Sequence, residues 1–250
     1  MGSDTASGRL TERMRKSTRR IHGKTDRLAS MNFALVLTDR ALYAKLLGSF
    51  YMVYRELEAA MDRCRDNEHV GHVFPLLDKM RRTKAFEADL LFFLGKDWAK
   101  TLIVNEAVEK YLARIAELEK KDPALLLAYS YHLYMAFLFG GKVIKKTVST
   151  MLSLRGEEGL AVFAMGGAKP SEYKDSYDEL VLSEDQTEEL LKESVEVFAM
   201  NNNIVMSFAR TVTWRNWLAS LRNPWVQAVV VAAIGASVAL YLSLTRGVKK

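Results

Sequence analysis

Cysteine is almost absent from this 250-residue sequence: Cys64 stands alone, so no disulfide forms within the chain. Packing must hold the core, and the chain suits a reducing compartment, most simply the cytosol. Proline is nearly as scarce, with four residues, and no stretch shows the apolar–polar alternation of a strand. Leu, Ala, Glu, Lys and Met are plentiful, so these absences predict an all-α chain. The first 24 residues lack the apolar run of a secretory signal. Met1-Gly2 is followed by Ala6 where a myristoylation site has Ser or Thr. There is no GxxxxGK[ST], HExxH or GxSxG. No histidine has a glutamate three residues before it, which excludes the Glu-x-x-His pairs of carboxylate-bridged di-iron bundles.

Basic charge is in excess: net charge is +6 and the pI about 9.3. Basic residues are spread along the chain apart from the cluster Arg13, Arg15, Lys16, Arg19 and Arg20. With no zinc-finger spacing and no RNP-like aromatic motif, nucleic acid is not the expected partner. An anionic ligand, an acidic protein or an anionic membrane surface fits the balance better.

One long run has no charge at all. From Trp225 to Leu244 the sequence reads WVQAVVVAAIGASVALYLSL. As a helix it is about 30 Å long, the thickness of a bilayer core. Trp225 and Tyr241 lie near its ends, where interfacial aromatics are favoured, with Arg222 before it and Arg246, Lys249 and Lys250 after it. Val and Ala on every face argue against a buried amphipathic helix. The expectation is a C-terminal transmembrane tail anchor with the rest of the chain in the cytosol. The chain then divides into a flexible start (1–9), a helical domain (10–215), a linker (216–224), the anchor (225–244) and a short basic tail (245–250). A second uncharged run, Ala124 to Gly141, holds three tyrosines, a serine and a histidine, and reads as a buried, pocket-lining helix.

Periodicity places an amphipathic helix at 10–29, with Leu10, Met14, Ile21 and Leu28 on one face. Thr38-Asp39 caps a helix over 40–63. Residues 69–74 form a connector that ends at Pro75, followed by helices at 77–95, 102–120 and 124–152. Residues 155–183 are loop-rich, and Ser183 with Glu184 and Asp185 starts a long helix over 184–222.

Histidine is the other scarce residue, with four in the chain. His22 has Asp26 four residues on, where a carboxylate can take the Nδ1–H and leave Nε2 for a metal. An exposed surface histidine fits the same local pattern. His69 and His72 form HxxH in loop-like surroundings without further ligands, and His132 reads as a polar pocket or core residue. Gly140-Gly141 interrupts the apolar helix at a cost of roughly 1–2 kcal/mol relative to alanines. Such a pair signals a bend, or close backbone approach to something flat.

These residues occur together in a known family. The segment Thr18-Arg19-Arg20-Ile21-His22 resembles the first helix of heme oxygenases. LLAYSYHLYMAFLFGGKVIKK at 126–146 resembles their distal helix with its glycine pair and following lysines. FYMVYRELEAAM at 50–61, KAFEADLLFFLG at 84–95, GEEGLAVF at 156–163 and VFAMNN at 197–202 extend the likeness over about residues 10–210, in order and spacing. It is nearest the animal, tail-anchored type and its arthropod-like branch.

The resemblance implies a multi-helix bundle with heme b held between the first helix and the distal helix. It makes His22 the proximal iron ligand with Asp26 as its partner. Gly140, Gly141 and Ala136 then lie over the macrocycle. Arg15, Thr18, Arg19, Tyr131 and Lys174 meet its edge and propionates, with Lys169 standing in for another family lysine. Phe198, Asn201 and Val205 wall the pocket. It further implies oxidative cleavage of heme to biliverdin, carbon monoxide and ferrous iron. O2 and electrons from an NADPH–cytochrome P450 reductase type of partner drive the reaction, with biliverdin reductase as a further partner and the endoplasmic reticulum as the membrane. One departure stands out. Where better-known members carry an aspartate that organises distal water and delivers protons, this chain has Phe137, and a serine before the glycines is Phe139. Slower turnover, looser regiochemistry, or a heme-binding or sensing protein with little turnover would each follow. A helix rotated so that Phe137 does not face the iron would also explain it.

Overall fold

In the computed structural model, which describes residues 8–165, 167 and 169–212, nine α-helices are joined by turns, 3-10 turns and loops, and no strand occurs among the described residues. Side chains at position 20 and at 22–30 fall outside that description, as do residues 213–250. The anchor expected at 225–244 therefore lies outside the described residues.

Helix α1 (Leu10–Val36) runs seven residues beyond the length read from periodicity. It packs most extensively on α9 (Glu184–Ala209), and Thr11 ties its first turn to α8 (Pro170–Asp178). The cap read at Asp39 is present: its carboxylate accepts from the amides of Ala41 and Leu42 and opens α2 (Arg40–Arg63). Such a cap contributes about 1 kcal/mol. Ser183 and Gln186 form a capping box at the start of α9.

The segment read as a connector at 69–74 is instead the body of α3 (Glu68–Lys79), with Pro75 inside it. Asn67 starts the helix by accepting from the amides of His69 and Val70, and α4 (Thr83–Leu94) follows a break at Met80–Arg82. Helix α5 (Glu106–Lys121) begins at its Asn105 cap rather than at 102. The loop-rich stretch contains α8, whose first residue is Pro170, the position where a missing N–H costs nothing.

The long apolar helix has three parts. A 3-10 turn (Pro123–Leu125) leads into α6 (Leu126–Met135), a π-helical turn (Ala136–Gly140) and α7 (Gly141–Met151). By length and composition Pro123–Met151 is apolar enough to cross a bilayer, yet 67% of its most apolar window is buried among the other helices. It is a core element. Its tyrosines explain how an apolar helix carries so many hydroxyls: each buried phenol has a partner, as burial requires. Tyr134 donates to Glu58 at 2.9 Å and Tyr129 to Glu193 at 2.9 Å. Only Tyr131 reaches a large cavity.

Candidate functional site

A cavity of about 1120 Å³ opens between α1, the α6–α7 wall, α8 and α9. Its α1 side is built by Thr11, Arg15 and Thr18, which recur at helical spacing. Opposite them stand Tyr131, His132, Met135, Ala136, Phe139, Gly140 and Ile144. Lys174 enters from α8 and Phe198 from α9. Helices far apart in sequence thus bring together Arg15, Thr18, Tyr131, Ala136, Gly140, Lys174 and Phe198, all expected at one site. Pockets for drug-sized ligands occupy ~300–1,000 Å³, so this one suits a ligand at the large end of that range.

Three cations and three carboxylates line it: Arg9, Arg15 and Lys174 face Glu12, Asp175 and Asp178. Asp178 is already occupied, accepting from the Thr11 amide at 2.8 Å and from its hydroxyl at 3.0 Å. That clasp fixes the α1–α8 floor. Burial, and then the Asp178 charge, push the Tyr131 phenol up to about 12, so near neutral pH it is a hydrogen-bond donor. Tyr131 is held by its neighbours, stacked on Tyr173 at 6.1 Å and tilted against Tyr177 at 5.0 Å. His132 lies edge-on to Phe198 at 5.0 Å.

Gly140 is the most telling element of the wall. A Cβ built there would meet only Ile144 Cδ1, at the ordinary contact distance of 3.5 Å. The protein's own packing therefore does not require glycine at 140. The space it leaves is on the cavity side, where a flat ligand can approach the backbone. Gly141 differs: it is buried and does not line the cavity, so the glycine pair does not act as a pair.

Four expectations shift. Arg19 is exposed and not among the cavity's lining residues, because Thr18 takes the inward position and the longer basic chain is solvated. Asn201 and Val205 border a second, apolar cavity of about 360 Å³ rather than the first, and Asn201 Oδ1 accepts from the Tyr111 phenol at 3.1 Å. Phe137 also faces this second cavity, packed against Tyr54, Phe86 and Phe163 with ring centroids 5.7, 6.5 and 5.8 Å away. The two cavities share Ala136 and Ile144 as wall residues. Lys169 sits at the N-cap of α8, pairs with Glu172 and is absent from the cavity's lining.

His22 and Asp26 lie on α1, but their side chains fall outside the described residues. In helix register His22 follows Thr18 by four residues and Arg15 by seven. The HxxH pair is helical and its rings stand beside carboxylates, His69 beside Glu68 on its own helix and His72 beside Glu179 at the end of α8, each at 3.4 Å. Among the described residues no His/Cys/Asp/Glu group is arranged to hold a metal ion by itself. Thr11, Met135, Ile144 and Asp178 were not foreseen; the signal was a spacing of four from Arg15, Tyr131, Gly140 and Lys174.

Comparison with known proteins finds relatives over most of the chain. The family model described as heme oxygenase matches residues 8–207. A heme oxygenase of Takifugu rubripes is 32% identical over 207 residues, covering 80% of this chain and 74% of the relative. The crystal structure of heme oxygenase 2 from Chlamydomonas reinhardtii, solved without heme, superposes with a TM-score of 0.76 at 30% identity, covering 83% of this chain and all of that one. Heme oxygenase-2 from Synechocystis, solved with heme and NO, gives a TM-score of 0.75 at 24% identity, over 80% of this chain and 85% of that one.

Proposed function

This chain belongs to the heme oxygenase family, and we propose that it binds heme in the cavity between α1 and the α6–α7 wall and cleaves it to biliverdin, carbon monoxide and ferrous iron. Bound heme, at once substrate and cofactor, supplies the oxygen chemistry, with O2 and electrons from an NADPH-dependent reductase. The observation that carries this reading is the glycine-lined cavity itself: large, flanked by Arg15 and Lys174, and free of any packing reason for glycine at 140.

The roles of the chain's own residues follow. Arg15 and Lys174 offer charge to two carboxylates, and the protonated Tyr131 phenol adds a donor. His22, one turn beyond Thr18 in register, is the residue that would hold the iron, with Asp26 fixing its tautomer. Gly140 and Ala136 let the opposite backbone close down and exclude water. Phe137, held among aromatic rings, brings no carboxylate to organise distal protons. That favours slow turnover or relaxed regiochemistry, and it motivates a second reading, a heme-binding protein with little turnover. The basic surface suits an acidic reductase. Residues 225–244 serve as the membrane anchor of this reading, with the described helices in the cytosol.

The deciding experiment uses the full chain in detergent with one equivalent of hemin, then reductase and NADPH under air, beside His22→Ala. Loss of the Soret band with growing biliverdin absorbance establishes the oxygenase. A Soret band that reduces and never decays establishes the second reading and removes the first. Alkaline carbonate extraction of membranes tests the anchor: release of the full chain into the supernatant would refute it.

A further inference from the structure

Lys174 is placed unusually for a cation beside carboxylates. Its Nζ stands 4.7 Å from the centroid of the Phe139 ring, across the cavity between α8 and the π-helical turn. The nearest obvious ion-pair partner on its own helix is Asp178, four residues on, a spacing that commonly pairs. But Asp178 is taken by the Thr11 amide and hydroxyl. Among the described residues Lys174 is thus parked on an aromatic face and not on a carboxylate. Phe139 remains 59% exposed, so its ring has free area beyond the contact with the ammonium.

We propose that Phe139 is a positioning residue for an anionic ligand, holding the Lys174 ammonium at the cavity so that a ligand carboxylate meets it with no competing ion pair. A cation on a ring keeps its full charge and loses little when a carboxylate arrives, whereas a cation already in a salt bridge must first give that bridge up. Thr11 completes the device by engaging Asp178, the carboxylate one helical turn beyond Lys174 on α8. The inference rests on heme as the ligand, and it assigns to Phe139 a task in ligand seating that its position in the distal segment alone does not imply.

The test follows hemin release from the full chain in detergent to excess apomyoglobin, for wild type, Phe139→Leu, Phe139→Tyr, Lys174→Met and the Leu/Met double variant. Phe139→Leu keeps apolar cover and loses the π face. It is expected to release hemin about two- to fivefold faster, the range of an exposed cation–π contact. Phe139→Tyr keeps the face and should match wild type. The double variant should release no faster than Lys174→Met alone, since both changes remove one unit. With hemin dimethyl ester, which lacks the carboxylates, Phe139→Leu and wild type should release alike. Effects that multiply in the double variant, or a Phe139→Leu effect that persists with the ester, overturn the proposal in favour of simple apolar cover. Absence of a saturable Soret band in the wild type would be a different failure, removing the heme reading and this proposal with it.

Discussion

Replacing Gly140 with alanine should move stability and ligand affinity in opposite directions. The backbone at 140 has φ −92° and ψ −18°, open to any L-residue, and the new methyl meets only Ile144 Cδ1 at 3.5 Å. Removing a helical glycine is worth roughly 0.5–1 kcal/mol. For a domain of this size that raises Tm by about 1–4 °C. The same methyl projects toward the cavity, where a tightly fitted flat ligand loses about 1–3 kcal/mol to overpacking, or roughly 5- to 150-fold in Kd. Gly141→Ala is the internal control. Its Cβ would lie 4.0 Å from Phe137 Cβ and away from the cavity, so it should gain stability and keep hemin affinity. Thermal melting followed by circular dichroism and hemin titration at the Soret band measure both quantities. A Gly140→Ala protein that melts lower than wild type, or that binds hemin as tightly, would refute the reasoning. So would an equal loss of affinity in Gly141→Ala.

Phe137→Asp should lose about 3–5 kcal/mol in denaturant unfolding and gain no turnover, because the carboxylate would enter the ring cluster of Tyr54, Phe86 and Phe163 without a partner; faster turnover at unchanged stability would show that Phe137 faces the reaction. Glu58→Ala should cost roughly 3–5 kcal/mol, since the buried carboxylate accepts from the Arg82 amide at 2.6 Å, the Thr83 hydroxyl at 2.8 Å and the Tyr134 phenol at 2.9 Å. A cost below ~1 kcal/mol would mean that water replaces it. Arg63 holds the Glu119 carboxyl below its usual range through a hydrogen bond at 2.6 Å. A depressed carboxyl contributes stability above its unfolded pKa of about 4.3 and loses it as pH falls through the folded value. The pair is half exposed on the arginine side, so Arg63→Met should cost less than about 1 kcal/mol at pH 7. The melting gap to wild type should close as pH drops toward 3; a gap that widens there would contradict the assignment.

Much of the frame was legible because local chemistry and tertiary structure agree. Asp39 and Ser183 are caps in the sequence and caps in the fold. The uncharged run at 124–141 read as a buried helix and is one. Local pattern misleads where one residue type carries two meanings. Pro75 ends most helices, but here Asn67 had already started α3, and the helix tolerates the lost hydrogen bond at 75. The tyrosines of α6 looked like pocket residues because hydroxyls in an apolar helix need partners. The partners of Tyr129 and Tyr134 are Glu193 and Glu58, on helices far away in sequence, which periodicity does not reveal. Arg19 illustrates a finer limit, since neighbours on α1 differ in face by one helical step and both lie near the same stripe.

The orientation of Phe137 traces to the same limit, with a specific cause. The cavity wall takes residues 131, 135 and 139 and, beside them, 132, 136, 140 and 144, a strict repeat of four. A regular α-helix turns about 40° too far at every step of four, so over three steps such a stripe would swing out of the cavity. The π turn at Ala136–Gly140 widens the helix where the drift would accumulate and keeps the stripe on one wall. Phe137, one place past Ala136, is then carried round to the second cavity and the aromatic cluster. Of the two tasks open to the glycine pair, a bend or a close approach, Gly140 fits the second, and the π turn supplies the alignment. Because the two are separable, the segment can commit Phe137 to aromatic packing and still present Ala136 and Gly140 to one cavity.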